Sequence, residues 1–256
     1  MRITIIGSGN VATHLAAAFK NAGHIIVQVY SRNLQNASLL AYHVRAEASD
    51  SLNNINQETD LFAIAVKDDA IETVTSLLVK HQKLIVHTSG ATNLQTLLNL
   101  TPNAGVFYPL QTFSKTKEVN FNTVPVCIEG GNEQIASTLN ELAYTVTQNV
   151  YRISSAERKI LHLAAVFACN FPNYLYYLAQ QLLADQQLPF DLLRPLILET
   201  AEKVQEQFPA AMQTGPAVRN DEKTMDTHLQ LLHEKPELQQ LYRVLSQGII
   251  KMDNHS

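Results

Sequence analysis

Charge is scarce in this 256-residue sequence: 16% of residues are Asp, Glu, Lys or Arg, and the formal net charge is -4. Such a balance leaves no broad basic surface, so nucleic acid is not an expected partner. Cysteine is rarer still. Cys127 and Cys169 lie far apart, each in an apolar run, which predicts reduced, buried thiols and a cytoplasmic setting. No run of 18 apolar residues occurs, which excludes a helical membrane span. The chain reads as a core strand from residue 3, so no signal peptide is expected. His87, His162 and His228 are scattered, and no Cys/His cluster has ligand spacing, so no metal site is expected. Internal repeats and low-complexity tracts are also missing.

What is present is enough apolar material, 46%, for one large domain or two modest ones. The β-branched run Ile3 to Ile6 reads as a buried strand. It enters Gly7-Ser8-Gly9-Asn10-Val11-Ala12 and then an alanine-rich helical stretch. Strand, glycine turn and helix form the opening of a dinucleotide-binding βαβ unit. Gly7 turns the chain sharply, Gly9 admits a pyrophosphate to the backbone, and Ala12 keeps helix and strand close. The free N–H groups of that helix then face phosphate. The bland alternative is a strand-to-helix turn that binds nothing.

The next strand, Ile25 to Tyr30, ends in Ser31-Arg32-Asn33, where an NAD-binding chain would place a carboxylate. Arg32 offers a planar fork to a 2′-phosphate and Ser31 a hydroxyl, so NADP is the expected coenzyme. The competing reading is a solvated loop arginine. Later strands are expected at 61–66, 84–87, 105–108, 124–129 and 150–153. Ligands in open α/β sheets lie beyond the carboxyl ends of strands. Val66, Lys67 and Asp68 follow the first of these, although Asp68 or Asp69 fits better as a cap for the helix expected at 70–79. Thr88 and Ser89 follow the second, placed to hold a substrate carboxylate or the nicotinamide ribose, to cap the helix at 94–98, or both. Tyr108 ends the third, as a proton donor or, more plainly, packed on Pro109.

From Ser154 onward long apolar-periodic segments replace the strands, near 156–184, 189–207, 221–232 and 236–251. The expected organisation is a nucleotide-binding domain at 1–153 and a helical substrate and dimerisation domain at 154–256. Leu161 to Phe171 is apolar almost all round and should be buried. His162, Val166 and Asn170 should share one face, with the two polar groups bonded within a core or looking into a cleft. Pro172 should kink the helix. Asp221 suits a helix N-cap, and Arg219 has three open roles: a pair with Asp221, a subunit contact, or an anion site.

The motifs Ile6-Gly7-Ser8-Gly9-Asn10-Val11-Ala12 and Tyr30-Ser31-Arg32 resemble the NADP-binding domain of a known superfamily. It includes pyrroline-5-carboxylate reductase, the deazaflavin-dependent NADP reductases, and the 3-hydroxyisobutyrate and 6-phosphogluconate dehydrogenases. His87-Thr-Ser-Gly90, Tyr108-Pro-Leu-Gln-Thr-Phe113, His162 through Asn170 and Thr214 through Asp221 resemble a bacterial set of NADP oxidoreductases. The helical C-terminal domain of that set has no assigned biochemical function. The resemblance implies an α/β fold, a Rossmann-like doubly wound and mostly parallel sheet, followed by an all-α C-terminal domain. It implies Gly7, Ser8, Gly9, Asn10 and Val11 on the pyrophosphate and Ser31 and Arg32 on the 2′-phosphate. Val66, Lys67, Thr88 and Ser89 would lie toward the nicotinamide.

Hydroxyacid dehydrogenases of this superfamily use a lysine and an asparagine one turn apart. Asn170 matches the asparagine, but Val166 stands where the lysine would be. His162 is then the nearby group able to move a proton, with Asn170 and Ser89 orienting substrate. The set often carries histidine at the position of Tyr108. The expected function is hydride transfer between NADP(H) and a small carbonyl, imine or hydroxy acid held between the domains of a homodimer. A non-catalytic NADP(H) sensor is the alternative.

Overall fold

The computed structural model describes residues 1–253 and divides into two compact units, 1–173 and 174–256. In the first unit the strands are β1 (Arg2–Ile6), β2 (Ile25–Tyr30), β3 (Glu47–Ser49), β4 (Leu61–Ile64), β5 (Leu84–His87), β6 (Ala104–Pro109), β7 (Val126–Gly130) and β8 (Val150–Arg152). They form one sheet in the order β3-β2-β1-β4-β5-β6-β7-β8. All neighbours are parallel except β6 and β7. The order reverses direction between β1 and β4, which opens a crevice at their carboxyl ends. β4 stops two residues short of its expected end, as the chain turns to bring the Ala65 carbonyl against Gly7.

The helices between strands are α1 (Asn10–Asn21), α2 (Leu34–Val44), α3 (Ile71–Leu78), α4 (Gln95–Leu98) and α5 (Glu133–Tyr144). Strand side chains alternate between faces, so each face gathers its own core. On β6, Phe107 joins Ile3, Ile5, Leu15, Phe19 and Leu139 on one face. Val106 and Tyr108 join Ile6, Ile64, Ile71, Leu78 and Cys127 on the other. Local signals set helix ends: Asn33 accepts from the Asn36 N–H, and Asn132 from the Ile135 N–H. Gly23 (φ +87°) closes the C-terminus of α1, its N–H on the Lys20 carbonyl.

α6 (Ser155–Ala165) is started by a capping box, in which Ser154 Oγ accepts from the Glu157 N–H and Glu157 Oε2 from the Ser154 N–H. A π-helical segment, Val166–Asn170, then leads into α7 (Phe171–Ala184). Pro172 accounts for it. Proline lacks an N–H for the carbonyl of residue 168, and the wider turn, with the Phe171 N–H on the Val166 carbonyl, carries the chain past that gap. The disturbance expected at Pro172 includes this register slip. The second unit begins inside α7 and continues through α8 (Arg194–Glu206), α9 (Glu222–Leu231) and α10 (Pro236–Asp253). Asp221 caps α9, accepting from the Thr224 N–H at 3.1 Å.

Two expectations about burial fail. Cys127 is buried, but Cys169 is exposed. Leu161 to Phe171 is not enclosed: Leu163 is 53% and Phe167 63% exposed. Among the described residues no helix is long and apolar enough to cross a membrane, and no group of His, Cys, Asp or Glu is placed to hold a metal.

Candidate active site

The crevice between β1 and β4 is shaped by Gly7. Its φ is +129°, and a Cβ there would lie 2.2 Å from the Ala65 carbonyl oxygen, so both conformation and space require glycine. Gly9, the N-cap of α1, meets nothing within 4 Å of a built Cβ. No side chain caps this helix and its first turn carries no acid. Open space in front of unfilled N–H groups is what a pyrophosphate fits. Ser8 Oγ donates to Ser31 Oγ at 2.9 Å, so the glycine turn and the end of β2 meet. Arg32 is exposed, and its guanidinium has no hydrogen bond or ion pair among the described residues. Asn10 uses its side chain otherwise: Nδ2 donates to the Phe113 carbonyl at 2.9 Å. His14 bonds the Ser114 carbonyl and stacks on Phe113. The 110–125 connection thus lies over the start of α1, a contact that sequence reading did not anticipate.

A second group of residues lies at the carboxyl ends of β5 and β6. Thr88 N–H and Oγ1 both donate to the Ile64 carbonyl. Ser89 Oγ accepts from the N–H groups of Ala91 and Thr92, capping a turn rather than the helix at 94–98. Gly90 follows, and a Cβ there would sit 2.6 Å from His162 Nδ1. The missing side chain is the seat of the His162 ring. His162 Nδ1 lies 3.0 Å from Tyr108 Oη, with the rings edge to face. Tyr108 is therefore not simply packed on Pro109. Burial, reinforced by Cys127, pushes its pKa up to about 12. The hydroxyl keeps its proton and can donate it to Nδ1 of His162, the arrangement in which the ring proton lies on Nε2. That Nε2 has no partner among the described residues.

Behind this pair lies a buried polar network that was missed in the sequence. Arg158 is fully buried. Its Nη1 donates to Glu129 Oε2 at 2.5 Å, and its Nη2 to the Thr92 carbonyl at 2.5 Å and Ser155 Oγ at 3.1 Å. Ser155 in turn donates its N–H and hydroxyl to Glu129 and accepts from the Leu94 N–H at 2.9 Å. The Ser-x-x-Glu pattern at 154–157 would have set the start of α6 and placed Arg158 one turn before His162. His87, fully buried on the same sheet face as Tyr108, accepts from the Ser89 N–H at Nδ1. Burial, then the Arg158 charge, holds its pKa down to about 3. Cys127, opposite Tyr108, is raised to about 11 by burial.

Other expected residues fall elsewhere. Asn170 closes the π-helical segment and is exposed. Val66 and Lys67 follow β4 at the crevice, with Lys67 preceding a short 3₁₀ turn. Asp68 and Asp69 stand inside that turn and make no capping bond, so the expected cap is not formed. Arg219 is exposed and makes no ion pair among the described residues; the Asp221 carboxylate bonds Thr224.

Residues 2–90 match a family model described as NADP oxidoreductase, coenzyme F420-dependent, and residues 124–249 match a domain of unknown function. A "putative NADP oxidoreductase" from Bacteroides fragilis is 43% identical, with 98% of each chain covered and a TM-score of 0.93. The chain belongs to this family of NADP oxidoreductases. A Thermotoga maritima protein shares the oxidoreductase fold at 20% identity, over 99% of this chain and 98% of that one (TM-score 0.73). So does an imine reductase from Myxococcus stipitatus in complex with NADP+, at 12% identity over 100% and 93% (TM-score 0.69). No curated protein matches the oxidoreductase sequence.

Proposed function

We propose that this oxidoreductase binds NADP(H) across the carboxyl ends of β1, β4 and β5 and reduces a small carbonyl or imine, or oxidises the corresponding small hydroxy acid. The observation that carries the reading is the His162–Tyr108 pair, seated on Gly90 at the same sheet end as the glycine turn. Backbone N–H groups of Ser8, Gly9, Asn10 and Val11 take the pyrophosphate, next to the Gly7 turn. Ser31 and Arg32 take the 2′-phosphate. Val66, Lys67 and Thr88 line the nicotinamide end. When bound, the coenzyme supplies the hydride or accepts it.

The protein's part is the proton. In the reducing direction His162 passes its Nε2 proton to the substrate oxygen or nitrogen, so the N–H bond that breaks is replaced by one on the product, and solvent then returns a proton to Nε2. Tyr108 keeps its hydroxyl proton throughout, donated as a hydrogen bond to Nδ1, and holds the ring. Ser89, whose oxygen is occupied by two N–H groups, still has its hydroxyl proton to orient substrate. Asn170 serves as a second orienting group from the exposed end of the helix.

A second copy of the chain completes the molecule in this reading. Among the described residues of 174–256, only Ala217 and Leu232 are buried, while Leu196 is 63% and Phe208 87% exposed. Helices without a core of their own need a partner surface, and the uncharged face running from α6 into the π-helical segment offers Ile160, Leu163 and Phe167. Both cysteines are free thiols, which suits a cytoplasmic enzyme.

The test is a turnover screen of carbonyl and imino compounds followed by NADPH absorbance. NADPH should bind more tightly than NADH. Arg32→Asp should cost roughly ten- to a hundredfold of that preference, the worth of about 1.5–3 kcal/mol of charge-assisted bonding. His162→Ala should keep NADPH binding and lose turnover. Tight binding with no turnover of any compound would favour a sensor instead.

A further inference from the structure

We propose that the buried Arg158–Glu129 pair is a positioning device for the proton group. It locks the turn 89–92 against the first turns of α6, so that His162 is held on Tyr108 and presents Nε2–H outward. The proposal rests on the functional reading above only for what Nε2 then does; the positioning itself is a property of the folded chain.

Three observations carry it. Arg158 stands one helical turn before His162, so whatever fixes Arg158 fixes the direction in which His162 leaves the helix. The guanidinium fork reaches two other segments at once, the Glu129 carboxylate on β7 and the Thr92 carbonyl. Gly90, whose absent Cβ leaves room for the His162 ring, lies two residues before Thr92 in that turn. Ser155 closes the same ring of bonds by joining Glu129, Arg158 and the Leu94 N–H. Seat and ring are therefore held by one network. A displacement of either would break a 3.0 Å bond between Tyr108 and His162 and free the imidazole to exchange tautomers. A buried ion pair is weak evidence of added stability but well suited to fixing one arrangement. Lysine at position 158 would keep the charge but not the planar fork, and could not hold Glu129 and Thr92 in the same way.

The experiment is histidine-selective ¹⁵N NMR on the full chain without coenzyme, with the His162 signals assigned by their loss in His162→Asn. The wild type should show one tautomer, protonated at Nε2 and unprotonated at Nδ1. Arg158→Lys, verified as folded by circular dichroism and a cooperative thermal melt, should show averaged nitrogen shifts. Tyr108→Phe should show the same averaging. If Arg158→Lys does not fold, Ser155→Ala, which removes one link of the network, should shift the population partway. An unchanged Nε2–H tautomer in a folded Arg158→Lys chain, or in Ser155→Ala where the lysine variant fails, would overturn the proposal. Failure of the functional reading looks different: the tautomer responds as expected while NADPH does not bind or no compound is reduced.

Discussion

Gly90 has no space for a side chain, because the volume a methyl group would need is held by the His162 ring. Gly90→Ala should therefore push the ring off Tyr108 at a cost of about 1–3 kcal/mol in overpacking. A thermal melt reads the loss and a crystal structure the displaced ring; an undisturbed ring with unchanged stability would contradict the seat. His87 gives a second residue-scale prediction. Its folded pKa near 3 lies below the usual 6.5, so between those values the unfolded chain binds a proton that the folded chain does not. Stability should then fall as pH falls, by about 3 kcal/mol from this one group between pH 7 and pH 4. Urea titrations at both pH values should show a smaller drop in His87→Asn; parallel behaviour would remove His87 from the account. At this scale glycine, arginine and hydroxyl motifs could be read from the chain. The partner of each side chain could not. Nothing in the spacing of Tyr108 and His162 says that they meet.

At the scale of elements, α6 is the piece whose behaviour depends most on its neighbours. Its capping box is local, and local chemistry alone would start the helix at Ser154. Its anchoring is not local, since Glu129 belongs to β7 and Thr92 to the turn after β5. Removing Arg158 leaves the Glu129 carboxylate, 21% exposed, without its cation and bonded only to Ser155, so Arg158→Met should destabilise the protein by up to about 3 kcal/mol. Replacing both, as Arg158→Met with Glu129→Leu, should recover part of that loss, because no orphan charge remains. Denaturant midpoints of the two variants measure this, and a double variant weaker than the single one would argue against it. The π-helical segment at Val166–Asn170 teaches a related lesson. Proline announced a disturbance in the helix, but a kink and a register slip satisfy the same missing N–H.

At the scale of the whole molecule, exposed apolar side chains on α6 and in 174–256 set the expected assembly. Phe167, in the π-helical segment after α6, is 63% exposed, so Phe167→Glu should shift a self-associating wild type toward monomer. Sedimentation equilibrium over a range of concentrations reads the change; a wild type that stays monomeric at every concentration would sink the dimer. The sequence by itself determined the alternation of strands and helices through residue 153, the glycine turn, the Ser31–Arg32 terminus of β2 and the helical remainder. These follow from periodicity, propensity and turn chemistry, all of which act between residues close along the chain. Only the tertiary structure decided that Tyr108 is bonded to His162, that Gly90 is its seat, that Arg158 is buried against Glu129, and that the apolar helix face stands open. Those outcomes depend on which strands lie side by side and on what volume is left between them, and neither quantity is written in the spacing of residues.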